Sequence, residues 1–65
     1  MIELLYFSDG CDEIWKALNH FRDWINEKEK EGYVFLQVIR HSFDNPTDNY
    51  YYHAAVLFRG KGEAI

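Results

Sequence analysis

Arg40 and Arg59 are the arginines of the segments that read as strands. Arginine carries a planar fork of N–H donors that matches carboxylate and phosphate oxygens in pairs. Around these two stand the rings of Tyr50, Tyr51 and Tyr52 and the imidazoles of His41 and His53. Flat rings for stacking beside a cation for phosphate are the ingredients of a nucleotide-like pocket. The competing reading makes both arginines edge-strand charges that discourage aggregation. His41 and His53 are expected to be cross-strand neighbours, where two imidazoles would meet an anion, a metal or a partner carboxylate.

Other chemistry is sparse. The chain has no G-x-x-x-x-G-K-[ST], no G-x-G-x-x-G, no H-E-x-x-H and no C-x-x-C. Cys11 stands near a predicted helix N-terminus, a position that favours the thiolate, yet its expected role is that of a small residue tolerated at a helix start. The carboxylates fall on helix surfaces and in turns, where nothing shifts a pKa toward acid–base work. No catalytic residue is expected, and the chain reads as a non-enzyme. Cys11, His20, His41 and His53 lack the clustered spacing of a zinc site, so neither metal nor cofactor is expected.

Positioning these residues requires a scaffold. Ile2–Phe7 reads as a short strand, broken by Ser8-Asp9-Gly10. Ile14, Leu18, Phe21 and Ile25 recur at helical spacing, widened by Ala17 and Trp24, so a helix is predicted over 11–31 with Asp12 and Glu13 in its first turn and Gly32 as its stop. Tyr33–Phe43 and Tyr50–Arg59 are β-prone and flank the turn cluster 44–49, in which Pro46 is excluded from pairing. Residues 60–63 read as a loose tail. The order is β-α-β-β in a single domain, 1–65. The third strand is apolar on both faces and belongs in the centre, which predicts an α+β two-layer sandwich with sheet order 1-3-2 and one helix on one face.

The alternation of the second strand sets its faces. The favoured register places Val34, Leu36 and Val38 beneath the helix with Ala54, Val56 and Phe58. Tyr33, Phe35, Gln37, Ile39, His41 and Phe43 then share the uncovered face with Tyr51, His53, Ala55, Leu57 and Arg59. A one-residue slip would exchange a strand's faces.

Composition explains why that uncovered face matters. A chain of 65 residues with one cysteine forms no internal disulfide, and one this short buries only about 60% of its surface on folding. Five Phe, five Tyr and two Trp exceed what a three-turn core would hide, and surplus rings at a surface mark an interface. Trp24 is expected in the core and Trp15 at the helix edge. Trp15, Phe35, Ile39, Phe43 and Leu57 are therefore the expected subunit contact, in a dimer or larger self-assembly. A net charge of −4 opposes general nucleic-acid binding. Met1-Ile2-Glu3-Leu4-Leu5 has no basic leader and no apolar run approaches a membrane span, so the chain reads as cytoplasmic, with no membrane partner.

Leu18-Asn19-His20-Phe21 together with Tyr52-His53-Ala54-Ala55-Val56-Leu57-Phe58-Arg59 resembles a family of small sporulation-associated proteins of Gram-positive bacteria and their phages. That family supplies no catalytic residues to transfer. The predicted topology also resembles dodecins, small β-α-β-β flavin binders that form hollow assemblies. Dodecins stack flavin on a strand tryptophan, and no strand here contains one. The topological resemblance thus implies ligand capture between subunits without implying flavin.

Two functional readings follow. In the first, the chain is a phage-borne, non-enzymatic homo-oligomer that captures a nucleotide-like small molecule, such as a host defence signal, through Arg40, His41, Tyr50, Tyr51, Tyr52, His53 and Arg59. In the second, it is a protein–protein inhibitor or regulator that blocks a host protein through its aromatic sheet face or its acidic helix.

Overall fold

The computed structural model describes residues 1–45 and 49–60. Its elements are β1 (Ile2–Cys11), α1 (Ile14–Lys30), β2 (Val34–Asp44) and β3 (Tyr50–Arg59). The strands form one sheet in the order β1-β3-β2, with β3 antiparallel to both neighbours. This is the expected small α+β fold of β-α-β-β order. The helix connection leaves β1 and β2 running in the same direction, and β3 fills the space between them. Pro46, Thr47, Asp48 and the tail from Lys61 onward lie outside the described residues. Among the described residues no helix is long and apolar enough to cross a membrane.

β1 is longer than its composition predicts. Ser8, Asp9 and Gly10 do not break it, because all ten of its residues pair with β3, ending at Gly10 opposite Tyr51 and Cys11 opposite Tyr50. An edge strand needs only one ladder, and β3 supplies it without interruption. Gly10 is used for space: a Cβ there would lie 2.7 Å from Tyr51 Cε1. The longer strand delays the helix. Glu13 is the N-cap in extended backbone with no side-chain cap, and no acidic residue sits in the first turn, contrary to the placement expected for Asp12 and Glu13. The other end is as expected. Gly32, at φ 107°, lets its own N–H donate to the Glu29 carbonyl at 3.1 Å and the Tyr33 N–H to the Lys28 carbonyl at 3.0 Å.

The core lies between α1 and one sheet face. Ala17, Tyr52, Ala54, Val56 and Phe58 are buried, with Leu5, Phe7, Phe21, Trp24, Ile25, Tyr33, Phe35 and Val38 packed around them. Rings make most of this layer. Phe7 meets Phe21 and Trp24 at 5.3 Å between centroids, Phe21 meets Tyr52 at 5.2 Å, and Trp24, Tyr33 and Phe35 each place an edge against Phe58. The aromatic excess is therefore the core itself. It does not gather on the uncovered face, where Tyr6 and Tyr51 stand as the rings. Trp15 is 56% exposed on the outside of the helix, as its spacing predicts.

The faces of β2 differ from the expected alternation. Phe35 is opposite Phe58, Val38 opposite Val56, His41 opposite Ala54 and Phe43 opposite Tyr52, so these side chains share the helix face. Val34, Gln37, Arg40, Ser42 and Asp44 share the open face with Arg59, Leu57, Ala55, His53 and Tyr51. Two β-bulges, at Leu36 and Ile39, each insert one residue that has no partner of its own. A regular strand would have sent residues 35, 37, 39, 41 and 43 to one side. The first bulge turns Gln37 to the open face and Val38 to the helix face, the second restores the alternation with Arg40 outward, and burial of Phe35 against Phe58 decides the register. Val34 and Leu36 are exposed and do not lie beneath the helix. The expected interface set is consequently dispersed. Phe35 is half-buried under the helix, Phe43 packs on Tyr52 at 4.8 Å, Ile39 is exposed at a bulge, Trp15 lies on the helix, and Leu57 alone of the five is paired on the open face.

Candidate functional site

The open face divides along its length. At one end, Ile2 and Val34 flank Arg59, and Leu4 and Gln37 flank Leu57. Ile2, Leu4 and Val34 are exposed, at 56%, 61% and 47%. At the other end the side chains are polar. Tyr6 and Arg40 flank Ala55, and Ser8 and Ser42 flank His53. Here an open cleft of about 390 Å³ is lined by Tyr6, Arg40, Ser42, Asp44, His53 and the strand beneath them. That volume falls within the range of small-molecule sites, about 300–1,000 Å³.

His53 organises the cleft. Asp44 Oδ2 lies 3.3 Å from His53 Nε2. Nδ1 faces two hydroxyls, Tyr6 Oη at 2.9 Å and Ser8 Oγ at 3.2 Å. Each hydroxyl donates where Nδ1 is bare and accepts where Nδ1 carries the ring proton. The Tyr6 ring also stacks on the imidazole, with centroids 6.1 Å apart and planes 25° from parallel. Arg40 reaches the same cleft because the Ile39 bulge aims it at the open face. Its guanidinium makes no ion pair or hydrogen bond among the described residues.

The expected binding residues are thus separated. Arg40 and His53 meet in the cleft, with Tyr51 beside it on the same face. His41 pairs with Ala54 and its ring faces Tyr52 at 6.2 Å on the helix side, so His41 and His53 are not cross-strand neighbours. Tyr52 is buried in the core and Tyr50 shares that side opposite Cys11. Arg59 lies six residues further along β3, roughly 20 Å away at ~3.4 Å per residue. Tyr6, Ser8, Ser42 and Asp44 were not anticipated. The signal for the first two is the period of β1, which places Tyr6 and Ser8 on one face two residues apart.

A second cluster lies on the helix side. Asp9 and Cys11, two apart in β1, point toward α1, and His20 comes down from it. His20 Nδ1 is 2.8 Å and Cys11 Sγ 2.9 Å from Asp9 Oδ2, and Cys11 Sγ is 3.6 Å from His20 Nδ1. The spacing 9, 11, 20 looks scattered in sequence but converges once β1 extends through Cys11. Burial raises the Asp9 carboxyl, but hydrogen bonds from Cys11 and His20 and the His20 charge outweigh it and hold the group below the usual carboxylate value. The hydrogen bond to Asp9, aided by desolvation and by the Asp9 and Asp12 charges, pushes the Cys11 thiol up to about 11. The thiolate is therefore disfavoured, opposite to the helix-terminus expectation, because Cys11 precedes the helix and sits beside a carboxylate.

Comparison with family models, with curated proteins and with solved structures finds no match to this chain.

Proposed function

We propose that the chain is a non-enzymatic, homo-oligomeric binding protein that captures a nucleotide-like small molecule in the Arg40–His53 cleft, at the edge of a subunit contact. The observation that carries this reading is the Arg40 guanidinium, placed by a bulge in a cleft of ligand size and left without a partner among the described residues. An arginine fork in that position suits a phosphate or carboxylate. The Tyr6 ring beside it offers a stacking surface, and Ser42 and Ser8 offer hydroxyls for ribose-like or phosphate oxygens. The reading is non-enzymatic because His53 divides Nδ1 between two hydroxyls, and the backbone N–H groups of β3 are engaged by a strand on either side.

Self-association follows from the apolar end of the same face. Ile2, Leu4, Val34 and Leu57 form a patch that one helix on the far side leaves in water, and a second copy seated on it would wall the cleft. A phage origin comes from the family resemblance, a cytoplasmic setting from the lack of a basic leader or apolar span in the reading of the residues, and a host defence signal is one ligand of the nucleotide-like class.

Native mass spectrometry of the protein purified from a host making nucleotide signals, followed by calorimetry with adenine and guanine nucleotides and their cyclic forms, tests the reading. A co-purified phosphate-bearing species, or saturable binding that Arg40→Ala weakens about tenfold or more with assembly intact, supports it. Absence of any bound or bindable nucleotide removes it, and a stoichiometric host protein in place of a small molecule transfers the face to the inhibitor reading.

A further inference from the structure

We infer that Asp9, Cys11 and His20 form a transition-metal site, suited to Zn²⁺, that ties β1 to α1. The three donor atoms come from two elements and lie 2.8, 2.9 and 3.6 Å from one another. Bonds of about 2.0 Å to nitrogen or oxygen and about 2.3 Å to sulfur set tetrahedral ligands roughly 3.2–3.8 Å apart. The Cys11–His20 separation already lies in that range. The two contacts to Asp9 Oδ2 need to open by about half an ångström, and the Cys11 thiol proton leaves to solvent as the metal takes the sulfur, so that metal bonds replace the hydrogen bonds. One thiolate, one imidazole and one carboxylate are the borderline donors that zinc accepts, and oxygen-seeking Ca²⁺ and Mg²⁺ do not select them.

Position supports the same conclusion. Asp9 and Cys11 are half-buried and His20 is exposed, so the ligands are held from below while the fourth coordination position opens to solvent. Three protein ligands with one open position is the arrangement of a zinc centre that keeps a water or an exchangeable group. The location also answers the weakness of so small a chain. A metal here would staple the edge strand to α1 across the Asp12–Glu13 link, where the helix has no side-chain cap. The site lies on the opposite face of the sheet from the Arg40–His53 cleft and is independent of it.

Titration of the metal-free protein with Co²⁺ tests this directly, since cobalt substitutes for zinc and reports its ligands by absorbance. One Co²⁺ per chain is expected, with the intense visible bands of tetrahedral coordination and a thiolate-to-cobalt charge-transfer band. Zn²⁺ should bleach both and raise the thermal unfolding midpoint. Cys11→Ser should abolish the charge-transfer band, and His20→Ala should weaken binding by about tenfold or more, the scale on which even outer-shell losses act. His41→Ala, remote on β2, should bind as the parent does. The inference is overturned if no charge-transfer band forms, if the band survives Cys11→Ser, or if His20→Ala binds no more weakly than His41→Ala. Circular dichroism confirms that each variant keeps its fold.

Discussion

Leu57 and Phe58 are neighbours in β3, yet they belong to two different surfaces. Phe58 is fully buried among Trp24, Tyr33 and Phe35, and Leu57 stands half-covered on the open face between Leu4 and Gln37. One face of the sheet is finished within the chain by rings meeting rings. The other is divided into an apolar end and a polar cleft, and nothing within the described residues covers it. The contrast shows that aromatic abundance and surface stickiness are separate properties here. The rings complete the core, and aliphatic side chains of β1, β2 and β3 leave the exposed patch.

Substitutions on either side of β3 should separate the two surfaces. The largest effect is expected from Phe58→Ala. Emptying a fully buried aromatic position costs about 3–5 kcal/mol, comparable to the whole stability of a small domain. Urea unfolding should show a chain largely unfolded without denaturant. Leu57→Asp should leave the circular dichroism spectrum folded while sedimentation or light scattering shows assembly lost. A Leu57→Asp monomer as unstable as Phe58→Ala would erase the distinction between the faces.

Within the open face, Arg40→Ala should lower nucleotide affinity by ten- to a hundredfold, the loss of about 1.5–3 kcal/mol expected for a charged hydrogen bond. Arg59→Ala, at the apolar end, should change affinity little. Equal losses in calorimetry would extend the site along the whole strand. Gly10→Ala should cost less, about 1 kcal/mol, because its Cβ would press on the exposed Tyr51 ring. Pairing it with Tyr51→Ala in a double-mutant cycle should recover most of that loss.

The smallest effect concerns pH and the helix side. Burial pushes the Tyr52 phenol above its ordinary value. The folded state then holds this proton more tightly than the unfolded state. Its contribution is fully present below the ordinary tyrosine pKa of ~10 and is lost as pH rises through the higher folded value. Tyr52→Phe should therefore flatten the alkaline arm of a stability-against-pH curve and leave the neutral range nearly unchanged.

Much of the architecture was legible in the residues. The helical stripe through Phe21 and Ile25, Gly32 as the stop and the two-sided apolar β3 lead to the observed order. The candidate site was legible only in part, for two physical reasons. Alternation does not say which face turns inward, and burial of Phe35 against Phe58 reverses the faces expected for Val34, Phe35, His41 and Phe43, while the two bulges of β2 leave Gln37 and Val38 on their expected sides. Local propensity also fails where an uninterrupted partner strand overrides it. Ser8-Asp9-Gly10 reads as a break, and only its pairing with Tyr51, Tyr52 and His53 carries β1 onward to bring Asp9 and Cys11 under His20. Arg40 and His53 were identified by chemical type, but their meeting depends on the Ile39 bulge.

Those two inserted residues suggest another way to write β2. The strand has eleven residues, and omitting Leu36 and Ile39 leaves nine: Val34, Phe35, Gln37, Val38, Arg40, His41, Ser42, Phe43 and Asp44. In this shortened text the outward letters are Val, Gln, Arg, Ser and Asp, and the inward letters are Phe, Val, His and Phe. It is a regular amphipathic ribbon with two characters spliced in. Excision of either would preserve every partner across the ladder, whereas an added residue anywhere between them would put the remainder of the strand out of frame. The spliced positions are thus the places where this sheet tolerates a change of length, and both present an aliphatic side chain to solvent.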